Sequence, residues 1–135
     1  MTRSDKIRRS IAPLLASLAF SPVTNAATPA ELEAAYTAQA RTPANPDRGQ
    51  AMFTSRHGRD WSCSSCHSAV PIQAGSHAAT GKPIAALAPA FNADRFADAA
   101  KAEKWFRRNC GDVMGRECTA AEKADVLSWL RTLKP

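Results

Sequence analysis

The chain has 135 residues, of which 44% are hydrophobic and 22% are charged, and its formal net charge is +6 at neutral pH. This length supports one domain. The charge argues against nucleic-acid binding, because removing the basic N-terminal segment described next leaves 14 basic and 11 acidic side chains, a balance of +3.

The first 26 residues have the pattern of a secretory signal peptide. Basic side chains up to Arg9 precede a mostly apolar stretch, residues 11–20, and small residues around Ala26 offer a cleavage site. About ten apolar residues interrupted by Pro13 fall short of the ~20 that a transmembrane helix needs. We therefore predict a cleaved signal peptide over residues 1–26, export to the periplasm, and a mature domain over residues 27–135 without a membrane span.

Two helices are predicted before the first cysteine. Thr28 and Glu31 form a capping box with Pro29 at the first helical position, which indicates a helix that continues to about residue 41. A second helix is expected over residues 47–56, with Gly49 and Phe53 on one face.

A long irregular loop is predicted over residues 68–90, which are rich in proline and glycine. Loops of this length in a small domain are usually functional or wrapped on a ligand. A helix is expected over residues 94–108, where an apolar strip that includes Phe96, Trp105 and Phe106 faces away from the charged side chains.

The last predicted helix opens with a second capping box, formed by Thr119 and Glu122. It carries an apolar face that includes Trp129 and Leu130. No segment alternates like a strand, so the predicted fold class is all-α.

The Cys-x-x-Cys-His motif at residues 63–67 is the strongest signal in the sequence. Two thiols separated by two residues can each join one vinyl group of a haem, and the histidine that follows reaches the iron. The motif predicts one covalent haem c on Cys63 and Cys66, with His67 as proximal axial ligand. We expect His67 to be neutral and to donate its second ring N–H to a carbonyl near Pro71.

Two other interpretations of this motif are weaker. A zinc knuckle is disfavoured because the adjacent Cys66 and His67 cannot easily bind one tetrahedral ion together. A thioredoxin-type dithiol would start a helix after a strand, and no strand is predicted.

The residue on the far side of the iron is left open by the residue pattern. Met114 leads on general grounds, because a methionine 47 residues after His67 is an ordinary arrangement in cytochromes c. The other side chains that could serve are Met52, His57, His77 and Asn109.

The run Trp-Phe-Arg-Arg-Asn-Cys at residues 105–110, with Cys118 further on, resembles the sphaeroides haem protein family, the DUF1924 type. The resemblance covers about residues 45–133. It implies a class I cytochrome c-like fold, with helices packed around one haem, and an oxygen-binding monohaem c-type cytochrome. In monohaem cytochromes c, helices placed like the one that carries Gly49 and the last one cross closely, and glycine lets their backbones approach. The resemblance also implies that Asn109 is the distal axial ligand of the oxidised protein and that Cys110 and Cys118 form a disulfide.

The resemblance further implies partners and a function. Electrons would come from a dihaem cytochrome c and a membrane cytochrome b, and the gas ligands would be O₂, NO and CO. A neutral amide oxygen suits ferric iron better than ferrous iron. We therefore expect electron transfer, with Asn109 released on reduction so that O₂ or NO binds. The alternative is a plain electron carrier ligated through Met114.

Enzymatic activity is not assigned by the sequence. Turnover of bound gas, as an oxidase or an NO dioxygenase, stays open, and no side chain can be identified as a dedicated acid or base. Lys101, Lys104, Arg107 and Arg108 either steer an acidic electron donor or form an ordinary solvated helix face.

Overall fold

The computed structural model describes residues 26–135. The predicted signal peptide lies outside the described residues, apart from Ala26. The part of the chain that is described is mainly helical, as predicted, and none of its helices is long and apolar enough to cross a bilayer. Its elements are α1 (Pro29–Ala40), α2 (Pro46–Thr54), α3 (Ser64–His67), β1 (Gly75–Ser76), β2 (Pro83–Ile84), α4 (Ala99–Met114) and α5 (Ala120–Thr132).

Both capping boxes are formed as the sequence predicted. The Thr28 backbone N–H donates to Glu31 Oε2 at 2.8 Å and the Glu31 backbone N–H donates to Thr28 Oγ1 at 3.2 Å. Thr119 and Glu122 make the same pair of bonds at the start of α5. These bonds satisfy backbone donors that a helix start leaves without partners.

Helix α4 differs from its prediction, since it begins later and ends later than residues 94–108. Asp98 is its N-cap and accepts from the Lys101 backbone N–H at 2.8 Å. The helix ends at Gly115, which has a left-handed φ of 70°. Asn109, expected just beyond this helix, therefore lies inside it.

Helices α2 and α5 cross where Gly49 meets Asp125. A Cβ on Gly49 would lie 2.0 Å from the Asp125 carbonyl oxygen, so only glycine permits this approach. Beside the crossing, the Asp125 carboxylate accepts from Arg48 Nε at 2.8 Å and from the Asn45 backbone N–H at 2.6 Å. The crossing predicted from Gly49 is confirmed, with an ion pair added.

The core consists of two clusters of buried side chains that share Phe96 and Phe106 at their border. Trp105 departs from the predicted apolar strip, because it is 41% exposed and has the Arg108 guanidinium 5.6 Å from its ring centroid. The first cluster holds Leu32, Tyr36, Ala102, Ala124 and Leu127, and the second holds Phe53, Val126, Trp129 and Leu130.

The predicted irregular loop contains one short ladder. Strands β1 and β2 pair antiparallel, with Gly75 opposite Ile84. A Cβ on Gly75 would lie 2.0 Å from the Cys66 carbonyl oxygen, so the hairpin packs directly on α3. The prediction of no strand was wrong at this point, because two-residue strands are too short to show alternation.

Candidate haem site

A cavity of about 540 Å³ opens between α2, α3, the β1–β2 hairpin and α4. Its volume lies in the range of pockets that enclose small molecules and cofactors. Its walls include buried apolar side chains of the second core cluster, among them Phe53, Val126 and Leu130. The haem-attachment residues predicted from the sequence, Cys63, Cys66 and His67, also line it.

Helix α3 brings the three residues of the motif to this wall. It is a single turn in which the His67 backbone N–H donates to the Cys63 carbonyl at 3.1 Å. Residues three apart on a helix share a face, which lets both cysteines point to one side of a bound group. Both thiols are free, and Cys66 Sγ accepts from the Ala78 backbone N–H at 3.2 Å.

A group of serine hydroxyls holds the start of this turn. Ser62 is buried, and its Oγ lies 2.7 Å from Ser64 Oγ and 3.1 Å from Ser65 Oγ. The Ser62 backbone N–H also donates to Ser65 Oγ at 3.0 Å. The sequence reasoning assigned no role to these serines, although serine before a short helix is a common capping signal.

Burial sets the protonation state of the motif. Burial raises the pKa of the Cys63 thiol to about 11, with a smaller increase from Cys66. Burial lowers the pKa of His67 to about 4, and the positive charge of Arg95 adds to this decrease. At neutral pH the imidazole is therefore uncharged, the form that binds iron.

The partner of His67 is expected near the Pro71 carbonyl, and this stays a prediction. That oxygen accepts from the backbone N–H groups of Leu87 and Ala88, at 3.1 and 3.0 Å. Pro71 is buried, and the chain segment that follows β2 bonds to its carbonyl.

Asn109 lies on the α4 wall of the same cavity. Its side chain is half-buried, and within residues 26–135 no protein group forms a hydrogen bond with its amide. The next residue, Cys110, forms the disulfide with Cys118 that the resemblance implied, with a Cα–Cα distance of 5.6 Å. The bridge joins α4 to the start of α5.

Met114 is not among the cavity-lining residues, although it led on general grounds. It follows Asn109 by five residues, which turns its side chain about 140° around the helix axis. Its Sδ lies 3.6 Å from Cys118 Sγ, at the disulfide. Their different positions around the helix axis therefore place Asn109 on the cavity wall and Met114 away from it.

The remaining candidates divide in the same way. Met52 and His77 line the cavity, whereas His57 does not and has its Nε2 2.8 Å from the Met52 carbonyl oxygen. His77 Nδ1 lies 3.1 Å from Thr80 Oγ1. No group of three His, Cys, Asp or Glu side chains within the described part of the chain is placed to hold a metal ion.

Comparison with known proteins assigns the family. The sequence matches the family described as a domain of unknown function, DUF1924, over residues 39–130. It is 47% identical over 121 residues to the cytochrome c-type protein SHP of Cereibacter sphaeroides, a match that covers 87% of this chain and 93% of that protein. The chain belongs to the sphaeroides haem protein family, DUF1924.

Solved structures of this family and its relatives have the same fold. The structure of oxidised SHP, an oxygen-binding cytochrome c, superposes with a TM-score of 0.75 at 46% identity and covers 80% of this chain and 99% of that one. A solution structure of cytochrome c'' from Methylophilus methylotrophus gives a TM-score of 0.71 at 30% identity, over 79% of this chain and 94% of that one. The predicted class I cytochrome c-like fold is confirmed.

As a member of the sphaeroides haem protein family, the protein is a c-type cytochrome with covalently attached haem. The residues present fit this group, because two free thiols at the required spacing, an uncharged histidine and an apolar cavity occur at one place. The amide of Asn109 adds a further candidate ligand on another wall of the same cavity.

Proposed function

We propose that this protein is a periplasmic monohaem cytochrome that transfers electrons and binds a diatomic gas when reduced. Cys63 and Cys66 form the thioether bonds to haem, His67 is the proximal ligand, and Asn109 is the distal ligand of the ferric protein. The observation that carries the proposal is that Asn109 lines the cavity of the Cys-x-x-Cys-His motif, while Met114 does not.

The haem supplies an iron that takes up one electron and has a sixth coordination position. The Asn109 amide oxygen is a hard, neutral donor, which suits ferric iron and binds the softer ferrous iron weakly. Reduction therefore releases Asn109, and O₂, NO or CO can take its place. Two comparisons support this: SHP is described as oxygen-binding, and the cytochrome c'' structure concerns haem-ligand detachment in that protein.

The position of Asn109 in α4 limits how it leaves. It is an interior residue of a 16-residue helix, and the next residue is tied to α5 by the disulfide. This placement supports release by rotation of the Asn109 side chain rather than by a swing of a loop.

The proposed function includes export to the periplasm and electron donors found there. We propose that residues 1–26 are a cleaved signal peptide and residues 27–135 the monohaem domain, delivered to the periplasm. A dihaem cytochrome c and a membrane cytochrome b are the proposed electron donors. The exposed Lys101 and Arg108 border the cavity and suit an acidic donor, whereas Arg107 is paired with Glu117 at 3.3 Å.

Absorption spectra of the ferric and ferrous protein, with and without CO, test the proposal. We expect no near-infrared sulfur-to-iron band in the ferric form and ready CO binding in the ferrous form. Asn109→Ala should give high-spin ferric haem, and the matched change Met114→Leu should leave the spectrum nearly unchanged. The opposite pattern would refute the assignment of Asn109.

A plain electron carrier with a methionine ligand is the second candidate. The structure favours Met52 over Met114 for that role, because Met52 lines the cavity. A near-infrared sulfur band that disappears in Met52→Leu and persists in Met114→Leu would establish this alternative.

A further inference from the structure

Arg95 differs from the other cations of the domain in its surroundings. Within residues 26–135, the basic side chains that have a carboxylate within 4.0 Å are Arg48, Arg107, Arg116, Lys123 and Arg131. All the other lysine and arginine residues of that range are exposed except Arg95, which is half-buried. A partly buried charge without a counter-charge is unfavourable, so a partner outside the protein is indicated.

The guanidinium of Arg95 is held by neutral groups only. Its Nε donates to the Ala86 carbonyl at 2.9 Å and its Nη2 donates to the Ala85 carbonyl at 2.8 Å. These bonds use two of its five N–H donors and leave the positive charge uncompensated. Burial lowers the pKa of Arg95, and the exposed Asp94 beside it partly opposes this decrease.

The backbone around Arg95 is organised in advance of ligand binding. Asn92 Nδ2 donates to the same Ala86 carbonyl at 3.2 Å. Phe96, the next residue, has a left-handed φ of 59°, which an aromatic residue adopts only when its surroundings impose it. Phe96 packs between the two core clusters, so Arg95 is held against the cavity wall by both neighbours.

We propose that Arg95 binds a carboxylate of the haem, one of its two propionates, with the N–H groups that the carbonyls of Ala85 and Ala86 leave free. Arginine suits this role because its planar fork of donors matches a carboxylate. The positive charge of Arg95 also disfavours the ferric state, so it raises the midpoint potential. The inference rests on the haem cofactor and is independent of Asn109 release.

Arg95→Gln tests the proposal on the haem-loaded protein, with the midpoint potential and the propionate bending mode of the resonance Raman spectrum as readouts. Lys82→Gln is a matched control, because Lys82 is an exposed cation that also lines the cavity. Asn92→Ala is a second control, since it removes a donor to the Ala86 carbonyl without changing charge.

We expect Arg95→Gln to lower the midpoint potential by at least twice the shift that Lys82→Gln causes. Arg95→Gln should also change the propionate mode, whereas Lys82→Gln and Asn92→Ala should leave that mode unchanged. The proposal would be overturned if Arg95→Gln and Lys82→Gln shift the midpoint potential equally and leave the propionate mode unchanged. It would also be overturned if Asn92→Ala changes the propionate mode in the same way as Arg95→Gln.

If Arg95→Gln does not fold, Arg95→Lys is measured instead and should change the propionate mode less than the loss of the guanidinium would. If the propionate mode of Arg95→Lys is the same as that of the wild type, the proposal is contradicted. Retained CO binding in these variants keeps the result separate from the role of Asn109.

Discussion

Gly49 lies against the backbone of Asp125 so closely that a Cβ atom would be 2.0 Å from the Asp125 oxygen and 2.4 Å from its carbonyl carbon. These atoms belong to the middle of α5 and cannot move aside as a side-chain tip can. The approach sets the distance between α2 and α5, and thereby the position of Phe53 and Trp129, whose rings are 5.0 Å apart behind the haem cavity.

Gly49→Ala is therefore expected to lower the free energy of unfolding by about 3 kcal/mol, near the upper end for overpacked cores. Denaturant unfolding of the haem-loaded protein measures this. Gly111→Ala is the matched control, because a Cβ there meets nothing within 4 Å, and we expect a gain of about 0.5 to 1 kcal/mol from helix propensity. A neutral Gly49→Ala would show that the helices can separate freely.

The disulfide between Cys110 and Cys118 is expected to stabilise the fold and steady Asn109. Its loop is short, so replacing both cysteines with alanine should lower the free energy of unfolding by roughly 2 to 3 kcal/mol. If the bridge also orders the ligand, the ferric haem of the double variant should contain more high-spin form, as seen by absorption. If the double variant is less stable but its ferric spectrum is unchanged, the disulfide has only a structural role.

Glu122 should make the protein sensitive to acid in a defined range. Its hydrogen bonds to Arg116 lower its pKa to about 2 from the usual 4.5, against the opposing effect of burial, and the Thr119 backbone N–H lowers it further. Because the folded pKa is depressed, this stabilisation is present above pH 4.5 and is lost as the pH falls to about 2.

The difference in unfolding free energy between the wild type and Glu122→Gln should accordingly shrink over that pH range. Chemical unfolding at several pH values measures it. Glu117→Gln is the control, since Glu117 is 71% exposed in its ion pair with Arg107 and should have little effect. A pH-independent difference would show that Glu122 acts through packing alone.

Tyr36 carries a hydroxyl near the Glu103 carboxylate. The group is buried and has no hydrogen-bond partner in the described part of the chain. Burial raises the pKa of Tyr36, and the nearby Glu103 carboxylate adds to this increase. Tyr36→Phe should therefore keep the unfolding free energy within about 1 kcal/mol or raise it, whereas Tyr36→Ala should lower it by about 3 kcal/mol. A marked loss in Tyr36→Phe would reveal a bond to the hydroxyl.

Features that depend on neighbours in the chain could be predicted from the sequence. The capping boxes at Thr28 and Thr119 formed as expected because their partners are three residues away. The start of α4 was misplaced for the opposite reason. Phe96 adopts a left-handed backbone and lies between both core clusters, so the helix can begin only after Asp98.

The sequence by itself determined the covalent haem motif and the mainly helical class, because each depends on the spacing of residues along one segment. Only the tertiary structure decided which candidate ligands share the cavity with His67. It placed Asn109 on the cavity wall, turned Met114 toward the disulfide and left Arg95 without a counter-charge. These outcomes depend on helix phase and on contacts between distant segments, which no single stretch of sequence specifies.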